Sequence, residues 1–227
     1  MTDIRKDIGT YIRDVIIPEY AHFDSAHRED HAMTVIDQAM NLLDTRQIWI
    51  DNQDQHLTTE WAEHIDREVL IMAAACHDLG LAYGREMHHI HSGQIIRADK
   101  TLRKWFTESQ IETIAQAAED HRASGKSSPR SIYGKIVAEA DRVIDSETII
   151  RRTVQFGLKN YPELDREGHI LRAIGHLHEK YGRGGYLKLW IPWSDNSIRL
   201  QALQDIIEDS DEIYRTVGEI YDSLTSI

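Results

Sequence analysis

The stretch Val69-Leu70-Ile71-Met72-Ala73-Ala74-Ala75-Cys76 carries no polar side chain on any face. A helix of that composition is stable in water only if other elements surround it, so it predicts the central element of a domain. His77 and Asp78 follow it directly, with Gly80 two residues on to end the helix. Two ionisable groups at the end of a buried segment are costly unless they are paired or bound to a cation. The rest of the chain has to supply both the surrounding apolar faces and the partners of that pair.

The apolar faces recur at helical spacing nearly throughout. Residues 2–17 place Ile4, Ile8, Tyr11, Ile12 and Val15 on one face and stop at Pro18. Asp24 or Ser25 caps a predicted helix to about Gln47, with Val35, Ile36, Ala39, Met40 and Leu43 inward. Thr58 or Thr59 opens the helix that contains the apolar stretch. Further helices are predicted over about 87–99, from the capping box at Thr107 and Gln110 to His121, then over 132–144, 147–161 and 166–181. One long helix over 196–224 closes the chain. The 13 Gly and 4 Pro are too few for a turn-rich sandwich or barrel. The reading is all-α, a single-domain helical bundle spanning 1–227, with loops at 123–129 and around Gly182, Gly184 and Gly185.

Charge and cysteine content narrow the function. The 38 acidic against 26 basic residues give a net charge of −12, which excludes general affinity for nucleic-acid duplexes or anionic membranes. A single cysteine rules out an internal disulfide framework and predicts a reducing compartment. With no secretory layout at the start and no membrane-length apolar run, the expected location is cytoplasmic. The unusual component is histidine, 13 in all. His27 and His31 lie a turn apart on the second helix, and Glu139, Asp141 and Arg142 interrupt an apolar helix downstream. Imidazoles with carboxylates suit Mn, Fe, Zn or Mg, whereas a structural zinc site built on thiolates has no ligands here.

A histidine early in a first helix, a His-Asp doublet ending a central apolar helix and a later aspartate in an Ala-Asp-Arg context resemble the HD-domain superfamily of metal-dependent phosphohydrolases. The similarity covers roughly residues 20–150, with helices 151–227 expected to pack on that core. The resemblance implies an HD-type bundle with His31, His77, Asp78 and Asp141 as metal ligands, and His27 as the rival to His31. Some members hold two metals through extra histidines. His88, then His89, and His121 stand where those would, so one or two divalent ions per chain are implied. Asp78 and Arg142 are the catalytic candidates, the former orienting water and the latter neutralising developing charge. Arg122, Lys126, Arg130 and Lys135 form a local basic cluster suited to a phosphate. The implied activity is hydrolysis of a phosphoester in a nucleotide or other small phosphorylated metabolite. The alternatives are a nucleotide sensor without turnover and a di-iron oxygenase of the same superfamily. The oligomeric state is open.

The bland alternatives are packing and solvation. A metal-free network of the same four residues would need several donors to satisfy two carboxylates. At least one of His88, His89 and His91 must face solvent, because successive helical residues point about a third of a turn apart. His169, His176 and His178 read as surface or structural residues. Trp190 to Trp193 and Cys76 read as core, and Gly125-Lys126-Ser127 lacks the first glycine of a P-loop.

Overall fold

A computed structural model describes residues 4–24, 27–52, 61, 63–122 and 127–226. All regular structure among them is helical, as the periodicity predicts. The chain forms two compact units, Met1–Arg142 with Trp190–Ser194, and Val143–Leu189 with Asp195–Ile227.

In the first unit, α1 (Lys6–Tyr11) runs through a π-helical turn at Ile12–Ile16 into α2 (Ile17–Glu19). Pro18 has no N–H and its ring crowds the carbonyl of Asp14, so the wider turn sits where a regular helix cannot continue. The next helix, α3 (Glu29–Asp51), begins after the expected cap. Asp24 is engaged with His27 instead, Ser25 lies outside the described residues, and Arg28 occupies the cap position without a side-chain bond. The inward face of α3 is Ala32, Val35, Ile36, Ala39 and Leu42.

The apolar stretch lies in α4 (Arg67–Cys76), where every residue from Val69 to Cys76 is buried. Asp66 caps it by accepting from the Glu68 and Val69 amides at 2.9 and 3.3 Å. The predicted start at Thr58 or Thr59 is overturned: those threonines lie outside the described residues, but residues 63–66 are not helical and the helix that carries the apolar stretch opens at Arg67 behind its Asp66 cap. As the composition requires, α4 is surrounded: it packs against α3, α6 (Glu108–Asp120), α7 (Ile132–Ala140) and the π-helical turn. A 3-10 turn at Leu79–Tyr83 follows the His-Asp doublet and lies against α5 (His88–Ala98). The capping box at α6 is present, with the Thr107 hydroxyl accepting from the Gln110 amide and the Gln110 side chain from the Thr107 amide. Trp190–Ser194 belongs to this unit too. The Trp190 amide donates to Glu139 Oε2 at 2.8 Å, the Trp193 indole donates to the Leu42 carbonyl at 2.8 Å, and Ile191 joins the core.

The second unit contains α8 (Ser146–Asn160), α9 (Arg166–Tyr181), α10 (Asn196–Glu208) and α11 (Ser210–Thr225). Within it α8, α9 and α11 pack on one another. The single helix predicted over 196–224 is divided at Asp209, whose backbone is extended and whose carboxylate accepts from the Asp211 and Glu212 amides. An aspartate with two acids after it is a strong helix start, and here that local preference wins over continuation of the helix.

Candidate metal centre

Four histidines and two aspartates from five places in the first unit converge. His31 comes from the first turn of α3, and His77 and Asp78 from the end of α4. His88 is the first residue of α5, His121 closes α6, and Asp141 closes α7. Three of the four imidazoles are fixed in the same way. The Nδ1 of His77 donates to the Ala74 carbonyl at 2.8 Å, that of His88 to Arg85 at 2.7 Å, and that of His121 to Ala118 at 2.5 Å. A carbonyl can only accept, so each Nδ1 carries a proton, and in the neutral ring each Nε2 presents a lone pair. These lone pairs point inward. His77 Nε2 lies 3.3 Å from His31 Nε2, and His88 Nε2 lies 3.2 Å from His121 Nε2.

Asp78 divides the cluster in two. Its Oδ2 faces His77 Nε2 at 3.4 Å and His31 Nε2 at 3.7 Å, while its Oδ1 faces His88 and His121 Nε2 at 3.3 Å each. Asp141 Oδ1 completes the first half, 3.2 Å from His31 Nε2 and 3.9 Å from His77 Nε2. Within each of the groups His31–His77–Asp78 and Asp78–His88–His121, the ligand atoms all lie within 4.8 Å of one another. Acceptor atoms so concentrated repel unless cations, either protons or metal ions, stand among them. The donor set of imidazole nitrogen and carboxylate oxygen fits a divalent metal in each half.

Without a metal, protons take that role. Burial disfavours the charged form of His31, but hydrogen bonds to Asp141 and Asp78 outweigh it and raise its pKa to about 9. His121 is raised for a similar reason: burial opposes its charge and Asp78 overcomes it. His88 falls to about 4 through burial and the charge of His121 beside it. Burial alone would raise both aspartates, yet both lie below the usual carboxylate range. Burial is the largest single influence on each, and it is outweighed only by the surrounding imidazoles acting together: His77, His121 and His31 at Asp78, and His31, His77 and His121 at Asp141.

Several residues singled out in the sequence stand elsewhere. His27 bonds Asp24 at 2.8 Å, with its ring 5.6 Å from that of His31, so His31 is the one that reaches the cluster. His89 is one step around α5 from His88, outside both convergent groups, as the helical rotation dictates. Arg142 is buried and donates to the Ala138 carbonyl one turn back, with no hydrogen bond to the cluster among the described residues. Arg130 is bound to Asp120 and Glu119, because these carboxylates end α6 where the chain returns toward α7. The Lys135 ammonium lies over the Trp61 ring, 5.2 Å from its centre. Arg122 donates to the Glu86 carbonyl on the loop before α5, and its charge helps lower the pKa of His89 after burial. Lys126 lies outside the described residues.

The structure also adds residues that periodicity does not reveal. The Tyr20 hydroxyl is fully buried, donates to the Ala75 carbonyl at 2.8 Å and accepts from the Asp78 amide at 3.2 Å, holding the doublet from behind. The Ser92 hydroxyl accepts from the Gly80 amide at 2.9 Å. Their only trace in the sequence is a tyrosine after Pro18 and a serine one turn beyond His88.

Among known proteins, the HD domain family profile matches residues 28–144, just over half of the chain. No curated protein and no solved structure matches it. A match of that extent, over the same helices that carry the clustered histidines and aspartates, makes this chain a member of the HD domain family.

Proposed function

We propose that the protein is a metal-dependent phosphohydrolase that cleaves a phosphoester of a nucleotide or another small phosphorylated metabolite. One divalent ion would be held by His31, His77, Asp78 and Asp141, and a second by Asp78, His88 and His121. The observation that carries this reading is the divided Asp78 carboxylate, one oxygen turned to each pair of histidines.

Bound there, divalent ions supply Lewis acidity toward a phosphoryl oxygen and make water acidic enough to attack near neutral pH. The protein's own part is orientation and charge. Backbone carbonyls keep His77, His88 and His121 in the tautomer that offers Nε2, and Tyr20 fixes the turn that presents Asp78. Asp78 orients the attacking water through whichever carboxylate lone pairs its ligand contacts leave over. Arg122, close to His89 at the start of α5, is the described arginine that best fits phosphate contact. A cavity of about 420 Å³ whose lining includes Phe23, Asp24, Leu81 and Arg85 offers room for the organic part of a small ester. Of its lining residues, Asp24 bonds His27, whose ring lies 5.6 Å from that of His31, and the Arg85 carbonyl bonds His88.

The test is elemental analysis of freshly purified protein, then a screen of nucleotides and simple phosphoesters with the identified metal added. Metal-dependent release of phosphate, lowered at least about a hundredfold in Asp78→Asn, supports the proposal. Hydrolysis at the wild-type rate by Asp78→Asn refutes it. Nucleotide bound and returned intact would assign the site to sensing, and iron-dependent oxygen consumption would assign it to oxygenation.

A further inference from the structure

The two halves of the cluster are built differently. His31, His77, Asp78 and Asp141 come from the end of α4 and from helices that pack directly on it, whereas His88 is presented by the first turn of α5, which packs on α6 and on the 3-10 turn after the His-Asp doublet. That meeting is unusually close. A Cβ at Gly80 would lie 1.9 Å from the His88 carbonyl oxygen and 2.6 Å from the Ser92 amide nitrogen, so only a glycine lets the turn lie on the helix. The buried Gly80 amide then donates to the Ser92 hydroxyl at 2.9 Å. Ser92 is fully buried and one helical turn from His88, on the same face of α5. Gly80 is two residues from Asp78. The bond therefore ties the backbone that carries Asp78 to the helix that carries His88, next to the 3.3 Å approach of His88 Nε2 to Asp78 Oδ1.

We propose that Gly80 and Ser92 are positioning residues for the second metal, and that their bond decides whether the site holds two ions or one. The proposal rests on the two-ion reading given above. Removing the hydroxyl leaves a buried amide without a partner, and α5 relieves this by moving off the turn, which carries His88 away from Asp78. The first half has no ligand on α5 and is unaffected. Loss of such an outer support typically costs about 10- to 100-fold in metal affinity.

Manganese titrations of the wild type and Ser92→Ala, followed by calorimetry and electron paramagnetic resonance, test this. The wild type is expected to bind two ions with a spin-coupled spectrum. Ser92→Ala is expected to bind the first ion with unchanged affinity and the second at least about tenfold more weakly, giving a six-line spectrum at the manganese concentration that just saturates the wild type. Hydrogen exchange at the Gly80 amide reads the bond itself without metal, slow in the wild type and fast in the variant. If Ser92→Ala loses its helical circular dichroism, Ser92→Cys, whose sulfur is a weaker acceptor, is read in its place and must weaken the second ion selectively. A coupled two-ion spectrum in the variant at that concentration, or equal weakening of both ions, overturns the proposal. A wild type that binds no manganese overturns the metal reading instead, and Gly80 exchange still reports whether the bond forms.

Discussion

At the scale of single residues, the centre is a set of acceptors held at fixed orientation, and its behaviour follows from which cation neutralises them. With no metal, His31 keeps its proton up to a pKa of about 9, because burial is outweighed by Asp141 and Asp78. A metal can use His31 Nε2 only after that proton leaves. Metal binding at pH 7.5 should therefore release close to one proton from this residue, and apparent affinity should rise with pH until about 9. Calorimetry in buffers of different ionisation enthalpy measures the release directly, and none at all would remove His31 from the ligand set. The stability of the metal-free protein has the opposite slope. A raised histidine pKa stabilises the fold fully below about 6.5, and that contribution is lost as pH climbs toward about 9. His88, depressed to about 4, withdraws stability as pH falls from about 6.5 toward that value. The metal-free melting temperature should thus fall on both sides of a maximum near pH 6 to 7, and saturating manganese should abolish the loss on the alkaline side. Substitutions separate the halves. Asp141→Asn should lose the first ion, and His121→Ala should lower the stoichiometry from two to one; unchanged elemental analysis in His121→Ala would leave a single-ion site.

At the scale of elements, the helices deliver these residues because each one ends or begins at the cluster. His77, His121 and Asp141 are all C-terminal caps, where the chain turns and a side chain can leave the helix axis. This made much of the centre legible before any coordinates. An apolar run ending in His-Asp, a capping box leading to a histidine, and an acid in an apolar helix are local patterns, and each marks a helix end. What stayed hidden depends on contacts between elements. Nothing near Arg130 in the chain says that Asp120 and Glu119 will take its guanidinium, nor that Lys135 will lie over Trp61. The basic residues are one run in sequence, whereas in the structure Arg130 braces the α6–α7 connection and Lys135 lies over Trp61. The division at Asp209 was readable from the acids after it, but the apolar pattern on either side masked the signal. The bracing role carries its own prediction. Arg130→Ala should cost about 1 kcal/mol or less in urea denaturation, because the arginine side chain is 45% exposed, and should leave KM unchanged. Arg122→Ala should do the reverse, raising KM severalfold with little loss of stability. Equal KM values in the two variants would remove Arg122 from phosphate binding.

At the scale of the whole molecule, every residue of the centre comes from the first unit, and the histidines of the second have other surroundings; His169, for one, is buried with its ring 5.5 Å from that of Tyr221. The second unit also lies almost wholly beyond the residues matched by the family. What the entire chain does impose on the centre is its field. A net charge of −12 attracts divalent cations and repels phosphoesters, so the substrate proposed above would approach a metal-free centre against the field of the protein as well as against two carboxylates. Each ion bound brings two positive charges to the carboxylates and inverts the sign locally. Binding should accordingly be ordered, metal first. The long-range part of this attraction is open to screening, since the Debye length shrinks from about 30 Å at 0.01 M salt to about 8 Å at 0.15 M. Raising salt across that range should weaken manganese affinity severalfold while lowering KM for the phosphoester at saturating metal. Inorganic phosphate should give no heat with the chelated protein and a clear isotherm once manganese is restored. Phosphate binding of equal strength with and without metal would mean that the anion is held by arginines alone, and the histidines and aspartates would then need another purpose.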